Sequence, residues 1–299
     1  MRMIVAEQMA LERHVGPLSR WMQSQLRDGA WSDVIAPARS VIVEEEPFSV
    51  FAAMPALSRR HEVYITKVAA FVASGRGVDG VVVVMDPATA AVQSILDAAA
   101  ATRLKNAAAT YLATDACAPD DARILSVIGA GALARAQIHG VLNCRDIRQL
   151  RVFSRTTSRA REMVAELAPI LPQGCSAEIV DTAAAAVRDS DIVCTATSSV
   201  HPLFADDCLK PGVHVNCMGA HTSSSREVEH LTLTTAALVV EDLETAIREA
   251  GDVHCDAWSF ERLHQDDSLD PKPLRTVFSS TGHAVLDLLT AAYITKQVG

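Results

Sequence analysis

The sequence has few aromatic residues and no long uninterrupted apolar segment. Phenylalanine, tryptophan and tyrosine together make up 4% of the 299 residues, whereas 49% of the residues are hydrophobic. A core with so few aromatic rings must be built from alanine, valine and leucine, which favours helices packed on a parallel sheet over a β-sandwich. No stretch of roughly 18 apolar residues runs without a charge, so we expect no membrane span and no membrane partner.

Paired cysteines and a leader segment are also missing. The seven cysteines are scattered and form no Cys-x-x-Cys unit. This pattern is typical of reduced thiols rather than of a disulfide framework. The N-terminal segment 1–16 lacks the apolar stretch and the small-residue cleavage site of a signal peptide. We therefore expect a cytoplasmic protein.

Positive charge is in deficit. The chain has 27 lysines and arginines against 36 aspartates and glutamates, a net charge of −9, and it contains no basic run. Affinity for nucleic acid depends on neutralising phosphates with basic side chains, so we expect no nucleic-acid partner. A local basic pocket can still bind a small anion against the global charge.

Two patterns divide the chain. Up to about residue 97 the sequence has strand-like segments rich in β-branched residues, and an alanine-rich helix follows over 98–113. After residue 115, strands alternate with helical stretches of about ten residues, which predicts βαβ units and a parallel sheet. The segment 282–296 predicts an amphipathic helix that returns to the first domain.

The predicted fold class is therefore α/β. A parallel-sheet domain over residues 116–280 would be inserted in a second, α+β domain formed by 1–115 and 281–299, which would bind substrate and support dimerisation.

A glycine-rich turn lies between a predicted strand and a predicted helix. The segment Ile128-Gly-Ala-Gly-Ala-Leu-Ala134 fits the Rossmann fingerprint G-x-G-x-x-G/A. In that fingerprint Gly129 permits the tight turn, Gly131 lets a pyrophosphate approach the backbone, and Ala134 allows close packing of helix on strand. The N–H groups at the helix N-terminus would bind the phosphates.

The end of the next strand indicates which dinucleotide is bound. NAD-specific sites usually carry an acidic residue here, which accepts a hydrogen bond from the ribose 2′-hydroxyl. This chain has Ser154, Arg155 and Thr156 instead. A guanidinium and hydroxyls suit a 2′-phosphate, so the sequence favours NADP(H), with NAD(H) as the alternative.

Several stretches together resemble the ornithine cyclodeaminase/mu-crystallin family, in an order and spacing that cover nearly the whole chain. The stretches are Met54-Pro55, Thr66-Lys67-Val68, Val84-Met85-Asp86, 102–108, the glycine turn, 153–156, 195–199, 216–219, Arg226-Glu227 and 249–252. The resemblance implies a homodimer of two-domain subunits. It also implies an NAD(P)-dependent enzyme that acts on amino or imino acids.

The resemblance further implies that basic residues of the first domain bind the substrate carboxylate, here Arg39, Lys67 and Lys105. Lys67 lies within an apolar predicted strand, where a buried ammonium requires a counter-charge. A substrate carboxylate would supply that charge. Lys105 departs from the family, which usually has arginine, and a lysine lacks the bidentate fork that arginine offers a carboxylate.

A second departure concerns His221. Cyclodeaminases of the family carry an aspartate just after the segment that corresponds to 216–220, and this chain has histidine there. The cyclodeaminase aspartate is an anionic base near a cationic amine, and a histidine is at best neutral in that role. We expect His221 to lie at the domain cleft and, with Lys67, to be a candidate catalytic residue.

Two other chemistries are less well supported. Cys208, His214, Cys217 and His221 suggest zinc, but His214 and Cys217 are three apart on a predicted strand and point to opposite faces, so no metal is expected. Ser198 and Ser199 lie in no nucleophile elbow. The segment 195–199 instead predicts a position near the cofactor.

The sequence therefore predicts an NAD(P)-dependent oxidoreductase that reduces an imino acid or oxidises an α-amino acid. The alternatives are an ornithine cyclodeaminase with bound NAD and a non-catalytic NADP(H)-dependent binding protein. The predicted cofactor-binding residues are Gly129, Ala130, Gly131, Ala132, Leu133, Ser154, Arg155, Thr156, Thr195, Ala196, Thr197, Met218 and Gly219.

Overall fold

The computed structural model describes residues 1–46, 48–72, 77–219, 222 and 225–298. The chain divides into two compact units, of which unit 1 is Met1–Lys105 with Gly282–Gly299 and unit 2 is Asn106–Thr281. The first division falls inside a helix. The predicted limits, 1–115 with 281–299 and 116–280, stay a prediction of where the chain separates into domains.

The strands and helices alternate along most of the chain. The strands are β1 Arg2–Ile4, β2 Ser40–Glu45, β3 Phe48–Ser58, β4 Val63–Val72, β5 Gly77–Met85, β6 Val92–Asp97, β7 Ile124–Ile128, β8 Gln149–Phe153, β9 Ser176–Ile179, β10 Ile192–Thr195, β11 His214–Cys217, β12 Ala237–Val240, β13 Trp258–Ser259 and β14 Thr276–Ser279. The α-helices are α1 Leu11–Arg27, α2 Ala30–Asp33, α3 Ala98–Cys117, α4 Ala132–Leu142, α5 Thr157–Leu167, α6 Ala183–Val187, α7 His230–Thr235, α8 Leu243–Ala250, α9 Phe260–Gln265 and α10 Ala284–Gln297. Short 3-10 helices cover Ala6–Met9, Ala168–Ile170, Asp206–Cys208 and Asp252–His254.

Unit 1 is built on one sheet in the order β1-β6-β5-β4-β3-β2. Neighbours from β2 to β6 pair antiparallel, and β1, which the sequence did not predict, pairs in parallel with β6. Side chains alternate along β4, so Ile65 and Lys67 are buried while Val68 is 49% exposed. The inner face of this sheet is the one that carries Ile65 and Lys67, and it is the face that can hold a site.

Helix α10 differs from its prediction. The sequence was interpreted as an amphipathic helix, but every residue from Ala284 to Ile294 is buried. Because its side chains are apolar around almost the whole circumference, the helix suits burial on all sides rather than on one stripe. It packs on β3 and β4.

Unit 2 has a parallel sheet in the order β13-β12-β14-β11-β10-β7-β8-β9. All of its described pairings are parallel, which confirms the predicted Rossmann-type α/β class. Strand β7 lies between β10 and β8, so its carboxyl end is at the point where the strand order reverses. Open α/β sheets bind ligands at this position. Strand β14, which the sequence did not predict, lies between β11 and β12.

In the described part of the chain, no helix is both long enough and apolar enough to cross a membrane.

Candidate functional site

The turn after β7 has a backbone that only glycine can supply. Gly129 has φ +116°, and a Cβ atom there would lie 2.5 Å from the carbonyl oxygen of Ala196. Its N–H donates to the carbonyl of Phe153 at 2.9 Å. The turn therefore packs against the ends of β8 and β10, and there is no space for a side chain at Gly129.

The second glycine leaves space instead. A Cβ atom at Gly131 would meet nothing within 4 Å. Gly131 is the N-cap of α4, and no side chain caps that helix end. The first N–H groups of α4 therefore have no intrahelical partner and suit the phosphates of a nucleotide. Arg135 supports the turn from the helix, because its Nη1 donates to the carbonyl of Ala130 at 2.7 Å.

A cavity of about 250 Å³ lies at this end of the unit 2 sheet. It brings together eight of the predicted cofactor residues, which are Gly129, Ala130, Gly131, Ser154, Arg155, Thr156, Ala196 and Thr197. It is also lined by residues that were not in the predicted set, which are Ile128, Phe153, Arg159, Ser198, Ser199 and Leu203. The glycine turn, the end of β8 and the loop after β10 thus form one surface.

Five predicted cofactor residues do not line this cavity. They are Ala132, Leu133, Thr195, Met218 and Gly219. Thr195 is fully buried at the end of β10 and donates through its hydroxyl to Glu227 at 2.7 Å. Met218 is buried beside Thr110. The polarity of the 195–199 segment predicted a position near the cofactor, and the structure places Ala196, Thr197, Ser198 and Ser199 in the cavity lining but Thr195 outside it.

The cavity carries positive charge near the end of β8. Arg155 and Arg159 are exposed at its rim, and none of the described lining residues is acidic. The N–H of Thr156 donates to the Ser154 hydroxyl at 3.3 Å. Two guanidinium groups and several hydroxyls can bind a phosphate here.

In unit 1, Lys67 forms a buried ion pair. Its Nζ atom donates to Asp287 Oδ1 at 2.9 Å, and the two side chains are 5% and 4% exposed. The alternation of β4 directs Lys67 to the inner face, and α10 supplies Asp287. The expected burial of Lys67 is therefore present, but its counter-charge comes from the chain itself rather than from a substrate alone.

Lys105 belongs to the same group of charges. It is buried, and the site where a Gly282 Cβ would be lies 3.1 Å from its Nζ atom. Burial raises the pKa of Asp287, but the charges of Lys67, Lys105 and His283 and the hydrogen bond from Lys67 together lower the pKa overall. Gly282 has φ +74° and so suits glycine in its backbone as well as in the space beside Lys105.

Arg39 and His221 are the remaining predicted substrate-binding and catalytic residues. Arg39 lies directly before β2 and is half-buried. His221 lies outside the described residues, so its catalytic role stays a prediction. Over the ranges that the structure describes, no group of three or more histidine, cysteine, aspartate or glutamate side chains could hold a metal ion.

Sequence reasoning missed two buried carboxylates. Asp287 is the one charged residue in the apolar stretch 284–294, and this was a usable signal because Lys67 is similarly isolated in its own strand. Glu227 entered only as part of the family resemblance, without a role. The sequence around it gave no indication that its side chain is buried.

The chain is similar to known proteins over most of its length. The model of the ornithine cyclodeaminase/mu-crystallin family matches residues 3–299. The chain is similar to ketimine reductase mu-crystallin of Rattus norvegicus, with 27% identity over 272 residues that cover 87% of this chain and 84% of that protein. It is similar to Delta(1)-pyrroline-2-carboxylate reductase of Colwellia psychrerythraea, with 27% identity over 218 residues, 69% of each protein.

A solved structure has the same fold over the whole chain. It is Delta(1)-pyrroline-2-carboxylate reductase of Thermococcus litoralis in complex with NADH and L-proline. Its TM-score is 0.91 at 22% identity, and the match covers 100% of this chain and 97% of that one. These relatives are named for the reduction of imines, which is the reaction class that the sequence predicted.

Proposed function

Because the chain belongs to the ornithine cyclodeaminase/mu-crystallin family, as its motifs indicated, we propose that it is an NAD(P)-dependent reductase of a C=N bond next to a carboxylate. In reverse it would oxidise an α-amino acid. The observation that carries this proposal is the buried group of Lys67, Lys105 and Asp287, in which two lysine charges act on one aspartate. The Delta(1)-pyrroline-2-carboxylate named for two of these relatives fits such a group, because it has a carboxylate on the imine carbon.

The cavity of unit 2 fits a dinucleotide. Gly129 makes the turn, Gly131 leaves space for the pyrophosphate, and the start of α4 offers unpaired N–H groups. When bound, the reduced nicotinamide supplies a hydride to the imine carbon. We infer that NADP(H) is preferred over NAD(H), since Arg155 and Arg159 lie at the rim of the cavity and can bind a 2′-phosphate.

The unit 1 residues would position the substrate. Lys67 and Lys105, with Arg39, bind its carboxylate and so fix the imine carbon for reaction. Asp287 orients the ammonium of Lys67 by accepting a hydrogen bond from it. The other two N–H groups of the ammonium can then point towards the substrate. The proton for the imine nitrogen comes from Lys67 or His221.

The outer face of the unit 1 sheet supports a homodimer. Ile42, Phe51, Val68 and Val81 are 66%, 41%, 49% and 38% exposed, and cross-strand pairing places them on one face. Contiguous exposed apolar patches on soluble proteins mark interaction sites, among them protein–protein interfaces. Most alanines of α3 are buried within the subunit, so this helix offers less apolar surface than the sheet does.

The assay that tests the proposal follows reduced nicotinamide absorbance with cyclic imino acids such as Delta(1)-pyrroline-2-carboxylate. We expect imine-dependent oxidation of NADPH, and its loss in a Lys67→Met variant. Ammonia release from ornithine without a net absorbance change would identify a cyclodeaminase instead. Tight NADPH binding without turnover of any imino or amino acid would identify a binding protein.

A further inference from the structure

Glu227 joins three segments of unit 2 through one carboxylate. The residue is fully buried. Its Oε1 atom accepts hydrogen bonds from the N–H and the hydroxyl of Thr197, each at 2.7 Å. Its Oε2 atom accepts from the hydroxyl of Thr195 and from the N–H of Gly219, again at 2.7 Å. The ends of β10 and β11 and the loop after β10 are thereby fixed to one side chain.

The backbone of Glu227 holds the same loop at its other end. Its carbonyl accepts from the N–H of Leu203 at 2.9 Å. Thr197 and Leu203 both line the nucleotide cavity, whereas Glu227 does not. One residue outside the cavity therefore holds two cavity-lining residues of this loop, Thr197 and Leu203.

The position of this loop determines the fit of the glycine turn. The carbonyl oxygen of Ala196, next to Thr197, closes the space beside Gly129. The backbone at Gly219 also packs closely on Glu227, because a Cβ atom at Gly219 would lie 2.3 Å from the carboxyl carbon of Glu227. Neither the loop nor the carboxylate can shift far without loss of these contacts.

Burial of this carboxylate has an energetic cost. Burial raises the pKa of Glu227, and the four donors around it partly oppose that change. A buried charge is tolerated only where its hydrogen bonds are satisfied, and here each oxygen has two donors. A glutamine at this position would present an amide donor to two of those donors, so shape alone does not satisfy the site.

We propose that Glu227 is a positioning residue for the dinucleotide. Without touching the ligand, it holds the segment 196–203 in the conformation that forms one wall of the cavity. This inference rests on the proposed function, because the ligand is the NAD(P)(H) of the proposed reductase.

The test compares Glu227→Gln with Glu229→Gln. Glu229 also accepts a backbone hydrogen bond, from the N–H of Asp206 at 2.9 Å, and its bonded partner does not line the cavity. Like Glu227, Glu229 itself lies outside the cavity lining. For Glu227→Gln we expect the Kd for NADPH to rise at least about tenfold, consistent with the loss of two charge-assisted hydrogen bonds. We expect kcat at saturating NADPH to change by less than about threefold. For Glu229→Gln we expect the Kd to stay within about twofold of the native value.

The outcomes separate this inference from the proposed function. Native protein that binds neither NADPH nor NADH would overturn both. Native binding with an unchanged Kd in Glu227→Gln, or with equal losses in the two variants, would overturn only the role of Glu227. If Glu227→Gln does not fold, hydrogen exchange on cofactor-free native protein decides. Protected amides at Thr197 and Gly219 support the role, and rapid exchange at both overturns it.

Discussion

Asp287 is the residue that allows Lys67 to be buried on the inner face of the unit 1 sheet. An ammonium removed from water without a partner destabilises a fold by several kcal/mol. The 2.9 Å hydrogen bond to Asp287 offsets that cost and also orients the lysine. The same pair therefore contributes to stability and, in the proposed reaction, to substrate binding, and the two contributions can be separated.

A double-mutant cycle separates them. Asp287→Leu leaves the Lys67 ammonium unpaired, and we expect it to lower the free energy of unfolding by about 3–5 kcal/mol. Lys67→Met combined with Asp287→Leu should lose less than the sum of the single changes, as urea unfolding would measure. Imine reduction should stay absent in every variant that lacks Lys67. Additive losses of stability would show that the two residues are not coupled.

The pH dependence provides a second readout of the same pair. The pKa of Asp287 is lowered in the folded protein. Its contribution to stability is therefore present above the unfolded carboxyl pKa of about 3.9 and is lost as the pH falls through the lower folded value. We expect the native protein to lose stability more steeply below about pH 4 than Asp287→Asn does.

Arg155 sets the expected cofactor preference. Arg155→Ala should weaken NADPH binding about ten- to a hundredfold, since a charge-assisted contact contributes about 1.5–3 kcal/mol, and should leave NADH binding almost unchanged. Arg161→Ala is the matched control, because Arg161 is an exposed arginine on the following helix α5 and does not line the cavity. Isothermal titration of both cofactors measures the effect. Equal affinity of the native protein for NADPH and NADH would contradict the expected preference.

Among the elements, the turn between β7 and α4 combines two glycines that have different reasons to be glycine. Gly129→Ala adds a side chain at φ +116° and 2.5 Å from a carbonyl oxygen, so it should lower the melting temperature and abolish NADPH binding. Gly131→Ala meets no protein atom, so it should keep the native melting temperature while it weakens binding. A melting temperature that falls equally in both variants would show that the space at Gly131 serves the fold rather than a ligand.

The sequence predicted this turn and most strands of unit 2 because local signals coincide there. Buried parallel strands are continuous apolar runs, and the glycines lie between strand and helix. Strand β14 was missed because the loop 266–275, rather than a helical stretch, directly precedes it. Strand β1 was missed for a similar reason, since its three residues pair with β6, which is far away along the chain.

The site was only partly predictable for a related reason. The fingerprint locates Gly129 and Gly131 from neighbouring residues alone. The partner of Lys67 is 220 positions away on α10, and its identity follows from packing rather than from spacing. The four donors that surround Glu227 likewise come from segments that only the folded sheet brings together.

At the scale of the whole molecule, strand β2 is exposed along its entire length although Val41, Ile42 and Val43 are apolar. An apolar edge strand that nothing covers is a site for association. Ile42→Asp should therefore convert the proposed homodimer to monomer at micromolar concentration, as light scattering would show. Leu231→Asp changes another exposed apolar residue, 54% accessible on α7, and should leave the mass unchanged. A native protein that is already monomeric would contradict the proposal.

The place of β14 in the unit 2 sheet has a consequence for how the protein is made. This strand is the last of the sheet in sequence order, yet it lies between β11 and β12. While the ribosome is still translating the preceding residues, β12 and β13 have no neighbour that connects them to the β7–β11 half. The nascent unit 2 therefore has unpaired strand edges until residues 276–279 emerge. During this interval a chaperone would protect it from aggregation.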